Sequence, residues 1–167
     1  YYYALISLKS KKNVVIEKPG VISLTELKNL YRIAQKNNLS LKIVDMHIKH
    51  PIYKDMKEKL KDNPYRIELN FCVPKQKNIY LYKEVNYGGA VFETGYYPLS
   101  VIDDIYGFDK IENLKVYNHR ENKIVIRTNL TFNIGNSLFI INFGIDDFYQ
   151  NDITLYFKSM KINYKFA

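Results

Sequence analysis

The sequence predicts an α+β fold: a short parallel strand–helix–strand piece, then a mainly antiparallel open sheet with helices on one face. Three observations lead there. Two short apolar runs, Val14–Ile16 and Leu41–Val44, flank a segment with helical apolar spacing, the pattern of a crossover between parallel strands. Two further helical stripes follow, Ile52/Met56/Leu60 and Leu99/Ile102/Ile105. From Ile111 to Phe166 strand patterns repeat, separated by turn residues. The 167 residues, 47% hydrophobic and 25% charged, suffice for a sizeable core without disulfide or metal support.

Taken in order, Tyr1 to Ser10 has helical spacing with no capping residue or first turn before it, so the chain is expected to begin inside an element. Lys11-Lys12-Asn13 is a polar turn. Val14-Val15-Ile16 is a continuous β-branched run, as expected of a strand buried on both faces of a parallel sheet. Ser23 stands three residues before Glu26, the capping-box spacing. Leu24, Leu27, Leu30, Tyr31 and Ala34 then carry a helix to about Asn37, where Asn37-Asn38 ends it. Leu41 to Val44 is the next strand.

Pro51 opens another helix, which Asn63-Pro64 stops. Tyr65 to Val73 alternates as a strand, and Pro74 to Asn86 reads as a polar loop with a weak strand inside it. Gly88-Gly89 opens the segment that leads into a helix from Pro98 to Tyr106, ended by Gly107. Strands are expected at Leu114–Tyr117, Lys123–Phe132, Ser137–Phe143, Ile153–Phe157 and Lys161–Phe166. Turns at Glu121-Asn122, Gly135-Asn136 and Asp146-Asp147 make them an antiparallel meander. The change in character places a domain boundary between residues 1–46 and 47–167.

The charge narrows the function classes less than its size suggests. Lys and Arg number 25 against 17 Asp and Glu, a net +8, which favours anionic partners. Yet Lys far outnumbers Arg, the residue suited to bidentate base or phosphate readout. The densest group, Lys54, Lys57, Lys59 and Lys61, is interleaved with Asp55, Glu58 and Asp62, as on a solvated, ion-paired helix face. Nucleic acid is therefore ranked last among partners. One cysteine, Cys72, excludes an internal disulfide framework and a cysteine-ligated zinc site. No apolar run approaches the ~20 residues of a membrane helix, and no signal-peptide pattern opens the sequence, so a cytoplasmic setting without membrane partners is expected.

Three segments in order resemble the Gfo/Idh/MocA oxidoreductases, NAD(P)-dependent sugar and polyol dehydrogenases and reductases. Asn13-Val14-Val15-Ile16-Glu17-Lys18-Pro19 is similar to the family's strand ending in Glu-Lys-Pro. The helix and strand after it lead to His50-Pro51 at the start of the next helix. Gly88-Gly89-Ala90-Val91-Phe92-Glu93-Thr94-Gly95-Tyr96-Tyr97-Pro98-Leu99 resembles the family's Gly-Gly-Ala-Leu-x-Asp-x-Gly-x-Tyr-Pro-Leu segment, in the subgroup that uses Tyr. Lys18 and Tyr97 stand 79 positions apart. The resemblance implies that residues 1–46 are the end of a Rossmann-like dinucleotide-binding domain and 47–167 an α+β substrate and oligomerisation domain. The family's Gly-rich phosphate turn lies well before Glu-Lys-Pro, and this sequence contains no G-x-G-x-x-G. The expectation is thus a piece of a larger oxidoreductase, inactive by itself and cut short near Ala167.

Hydride transfer to a sugar carbonyl needs a proton donor for the developing alkoxide. A tyrosine with a pKa of about 10 serves only if a nearby cation favours its phenolate. The resemblance makes Tyr97 the general acid or base and Lys18 its cation. It further implies that Lys18 meets the nicotinamide ribose or substrate hydroxyl, that Glu17, Lys18 and Pro19 border an NAD or NADP cofactor, and that the Lys18–Pro19 bond is cis. Glu93 stands where the family has Asp, its carboxylate one methylene further out, in a substrate-orienting or relay role; His50 joins the substrate side. A sugar or nucleotide-sugar substrate and a homo-oligomer formed through the open sheet complete the expectation.

The residues alone leave other roles open. Lys18 before a proline also fits an exposed turn, Tyr97 fits packing, and Tyr96 beside it is an equal candidate for the cleft. Asp45, His47 and His50 are close enough for metal ligands, but no fourth ligand accompanies them, and capping or solvation suits them as well. The alternation from Val125 to Phe143 also suits a non-catalytic sheet that mediates association.

Overall fold

The computed structural model describes residues 1–75, 88–145 and 148–166. Of the expected loop with a weak strand, Pro74 to Asn86, residues 76–86 lie outside them, as does the Asp146-Asp147 turn. Two compact units are present, Tyr1–Asp45 and Met46–Ala167.

The first unit contains α1 (Tyr2–Lys9), β1 (Val14–Ile16), α2 (Leu24–Lys36) and β2 (Leu41–Ile43). β1 and β2 pair in parallel with Val14 opposite Leu41. Ala4 and Leu8 of α1 and Leu30 and Ala34 of α2 pack with Val14 and Leu41 in one apolar cluster. That cluster covers one face of the pair only. Val15, expected to be buried, is 68% exposed, because its side chain points to the opposite face of the pleat. Leu24 and Tyr31 are likewise exposed, so the buried stripe of α2 is Leu30, Ile33 and Ala34. Ser23 is the N-cap in extended backbone, but its side chain makes no capping bond. Asn37 and Asn38 end α2 as expected. Asn38 has φ +54°, and Leu39 N–H returns to the Ala34 carbonyl at 2.8 Å, a left-handed stop that asparagine tolerates.

The second unit is a six-stranded sheet backed by helices. Its elements are α3 (Pro51–Leu60), β3 (Arg66–Cys72), α4 (Ala90–Glu93), α5 (Tyr96–Ile105), a 3-10 turn at Phe108–Lys110, β4 (Glu112–Glu121), β5 (Ile124–Ile134), β6 (Ser137–Gly144), β7 (Gln150–Tyr156) and β8 (Lys161–Lys165). The sheet order is β4-β5-β6-β3-β7-β8. It is not a simple meander. β3 inserts between β6 and β7, parallel to the first and antiparallel to the second. A central strand has both edges paired, and β3 is buried throughout Asn70, Phe71 and Cys72. The hairpin turns fall where turn chemistry placed them. Asn122 and Lys123 take φ +46° and +70° between β4 and β5, and Gly135 takes φ +56° between β5 and β6.

Ile67, Leu69 and Phe71 of β3, Ile126 and Phe132 of β5, Phe139, Ile141 and Phe143 of β6, and Ile153 and Leu155 of β7 join Met56, Leu60, Val101 and Ile102 of the helices in one core. The buried apolar residues of the Val125 to Phe143 alternation therefore face the helices. The opposite face carries a polar row in register. Asn129 bonds Asn142, which donates to Asn70 at 2.8 Å, and Asn70 donates to Asp152 at 2.9 Å. α5 starts at Tyr96, two residues before the expected Pro98, and buries Val101 with Ile102 instead of Leu99.

Polar clamps tie α3 to its neighbours. The Tyr164 hydroxyl donates to Asp55 at 2.7 Å, and burial, followed by that hydrogen bond, pushes its phenol above the ordinary range. Asp104 of α5 accepts from Lys57 at 2.8 Å and Tyr53 at 2.7 Å. These two bonds, Lys57 first, hold its carboxyl below the usual range. Elsewhere Lys59–Asp62 and Lys61–Glu58 form the exposed pairs expected of this helix. Among the described residues no helix is long and apolar enough to cross a membrane.

A depressed carboxyl pKa adds stability that is full above the unfolded value, about pH 4, and lost as pH falls through the folded value. Asp104→Ala is expected to cost about 0.2–1 kcal/mol at pH 7, as exposed pairs do. The difference from wild type should shrink as pH falls below about 4, as read by thermal melts across pH.

Candidate active site

The Gly88–Leu99 segment earns its glycines sterically. Gly89 has φ +107°, and a Cβ there would lie 2.8 Å from the Val125 carbonyl oxygen of β5. A Cβ on Gly95 would meet the Phe143 ring of β6 and the Val91 carbonyl, each at 2.8 Å. Only glycine lets the chain lie this close to the strands. Between them α4 makes a single turn, closed by Gly95 N–H to the Ala90 carbonyl at 2.8 Å and by the Thr94 hydroxyl to the same carbonyl at 3.1 Å. α5 then starts at once, with Tyr97 in its first turn.

Tyr97, and not Tyr96, reaches a cavity of about 190 Å³. Its wall is His47, Phe71, Cys72, Val73, Thr94, Tyr97, Tyr149, Gln150 and Asn151. The cavity lies at the end of the sheet where β3 finishes and β7 begins, Phe71 pairing with Asn151 and Cys72 with Gln150. His47, in the turn before α3, is the hub of the aromatic wall. Its ring centroid is 4.3 Å from Tyr97, 4.8 Å from Phe71 and 5.1 Å from Phe166, the spacing of mutually packed rings. Its Nε2 is 3.1 Å from Asn151 Oδ1. The Asn151 carbonyl in turn accepts from Phe166 N–H at 3.0 Å.

The other expected residues have distinct surroundings. Glu93 is half-buried at the end of α4 and is not part of that cavity's wall. His50 is the N-cap of α3, its Nδ1 accepting from Ile52 N–H at 3.3 Å, while its ring meets Phe166 edge-on. In the first unit, Glu17, Lys18 and Pro19 form a tight turn just past the carboxyl end of β1. The Lys18–Pro19 bond is cis, as the resemblance implied, and Gly20 N–H closes on the Glu17 carbonyl at 2.8 Å. Glu17 is exposed and Lys18 half-buried. Ligands of open α/β sheets bind beyond the carboxyl ends of strands, which is where this turn lies. Among the described residues no group of three or more His, Cys, Asp or Glu side chains gathers to hold a metal.

Sequence reasoning missed His47 as an aromatic hub, and it missed Thr94, Gln150 and Asn151 altogether. His47 and Asn151 are 104 residues apart, so no local pattern announces their contact. The signal that was present, His47 three residues before His50, raised metal ligation, which the lack of a fourth ligand set below capping or solvation.

The fold of this chain is similar to that of solved enzymes that act on nucleotide-linked sugars. One is KijD10, a 3-ketoreductase from Actinomadura kijaniata solved with NADP and TDP-benzene: TM-score 0.80, 20% identity, over 94% of this chain and 50% of that one. Another is the UDP-N-acetylglucosamine 3-dehydrogenase GnnA from Acidithiobacillus ferrooxidans, with TM-score 0.79, 12% identity, and coverage of 98% and 53%. The chain thus spans about half the length of these structures. No family model and no curated protein sequence matches it.

The close approach at Gly95 predicts that Gly95→Val costs about 1–3 kcal/mol, the range for overpacking a filled site. Chemical denaturation would read it. Gly135→Asn, at a turn where a Cβ meets nothing within 4 Å, should cost less.

Proposed function

We propose that the protein to which these residues belong is an NAD(P)-dependent oxidoreductase that reduces or forms a carbonyl on a sugar or nucleotide-linked sugar. The observation that carries this reading is the Gly89–Gly95 segment, which delivers Tyr97 to an aromatic and amide-lined cavity on a fold shared with sugar oxidoreductases. Aromatic faces suit the C–H faces of a sugar ring, and Gln150 and Thr94 supply groups for its hydroxyls.

NADH or NADPH, when bound, would supply a hydride for the carbonyl carbon. Tyr97 gives its hydroxyl proton to the carbonyl oxygen, so an alcohol forms; in the oxidative direction the phenolate takes that proton back. Lys18 contributes the positive charge that stabilises the phenolate. Glu93 orients substrate. Glu17, Lys18 and Pro19 fit the nicotinamide end of NAD or NADP, since their turn follows a parallel strand. The pyrophosphate needs a Gly-rich cradle that this sequence does not contain. Support also comes from KijD10, which has been solved with one tyrosine replaced by Phe and with one lysine replaced by Ala or Glu.

A second reading, subunit association through the sheet, has its own support. β4 is exposed along nearly all its length, leaving Leu114, Val116 and Tyr117 uncovered. Sedimentation of a concentrated sample should give a homo-oligomer; a monomer would remove this reading.

For the enzyme reading, Tyr97→Phe and Lys18→Met in the protein carrying this chain should each lower kcat by about 100-fold or more, within the range for lost acid–base catalysis. Both should keep the wild-type melting profile. Full turnover in both variants rules the relay out.

A further inference from the structure

We propose that His47 is the positioning residue of Tyr97, held in one tautomer by Asn151. The proposal rests on the oxidoreductase reading for its consequence and on this chain's geometry for its cause. A tyrosine that donates a proton must present its hydroxyl along one line, and displacement of a catalytic group by about 1 Å costs up to about 100-fold in rate. Tyr97 stands in the first turn of α5, where its backbone alone leaves the ring free to change rotamer. What fixes the ring is its neighbours, and among the described residues the nearest ring centroid is that of His47, at 4.3 Å and tilted by 44°.

His47 is itself fixed on three sides. Phe71 meets it edge-on, Phe166 lies against it, and Nε2 faces Asn151 Oδ1. Asn151 orients its amide so that Nδ2 faces the Tyr149 hydroxyl at 3.5 Å and Oδ1 faces the imidazole. An amide oxygen only accepts, so Nε2 carries the proton and donates. A ring that donates from Nε2 has one orientation that satisfies this bond, and that orientation sets the surface on which Tyr97 rests. Asn151 is anchored in turn through the β7 ladder opposite Phe71 and through Phe166 N–H. The chain of support runs from the sheet to Asn151, to His47, to Tyr97.

A histidine that merely filled space would be replaceable by any ring, and Asn151 would then act independently. The test has two arms. In the first, the protein carrying this chain is labelled with ¹⁵N-histidine and ¹³C-tyrosine for NMR, with signals assigned through His47→Phe and Tyr97→Phe. The expected result is a His47 proton on Nε2, a tautomer mixture in Asn151→Leu, and Tyr97 ring signals that shift in His47→Phe and in Asn151→Leu. A proton on Nδ1, or Tyr97 signals unmoved by either substitution, overturns the proposal.

In the second arm, turnover of TDP- or UDP-linked sugars with NADP or NAD is compared across His47→Phe, Asn151→Leu and the double variant. His47→Phe is expected to lower kcat about 10- to 100-fold with KM for the cofactor unchanged, and Asn151→Leu to lower it less. The double variant should be no slower than His47→Phe alone, because Asn151 acts through His47. Additive losses, or full turnover in His47→Phe, overturn the proposal. If the NMR result holds but wild-type protein turns over no sugar, the oxidoreductase reading fails while the placement of Tyr97 by His47 stands.

Discussion

The second unit depends on how closely one short stretch of chain lies on the sheet. Between Gly89 and Gly95 the backbone comes near enough to Val125 and Phe143 that a Cβ at either glycine would sit 2.8 Å from its neighbour. No other residue fits those two positions without displacing strand backbone or a fully packed ring. The approach fixes the depth of α4, and α4 fixes where α5 begins. Tyr97 is in the first turn of α5, so its height above the sheet is set by contacts made by residues with no side chain.

The sheet supplies the rest of the site from far-apart parts of the chain. β3 inserts between β6 and β7, which brings Phe71 opposite Asn151 and places both beside the turn that carries His47. Packing the apolar residues of β5 and β6 against the helices leaves the other face to a row of amides, Asn129, Asn142 and Asn70, ending on Asp152. Each amide satisfies the next, so polar groups in the middle of the sheet are paired along the row. One face builds the core, and one end of that face builds the cavity.

Much of this was legible in the sequence because it is local. Strands β5 and β6 follow from alternation and their turn from Gly135-Asn136, while α3 is bracketed by Pro51 and Asn63-Pro64. The Gly-Gly-Ala and Glu-Lys-Pro segments gave the fold resemblance. What was not legible is what depends on pairing. The insertion of β3 turns a meander into a mixed sheet, and no periodicity encodes which strand lies beside which. Val15 was misread for a related reason: its β-branched type suits a strand, but its exposure depends on what covers each face. Ser23 has the right spacing to Glu26 for a capping box, yet spacing does not dictate the rotamer that would make the bond. His47 resembled a ligand beside His50 because its partners, Phe71, Asn151 and Phe166, are 24 or more residues away.

The central proposal is that Tyr97 lies at the point where a sugar carbonyl receives a hydride. It is tested most directly by isotope transfer. The protein carrying this chain would be incubated with a nucleotide-linked keto-sugar and NADPH or NADH deuterated at C4 of the nicotinamide, and the sugar product weighed by mass spectrometry. The account predicts one deuterium bound to the former carbonyl carbon, with the exchangeable hydroxyl proton drawn from solvent. Folded protein that binds the nucleotide sugar but leaves every product unlabelled, with either cofactor and either face deuterated, would contradict it.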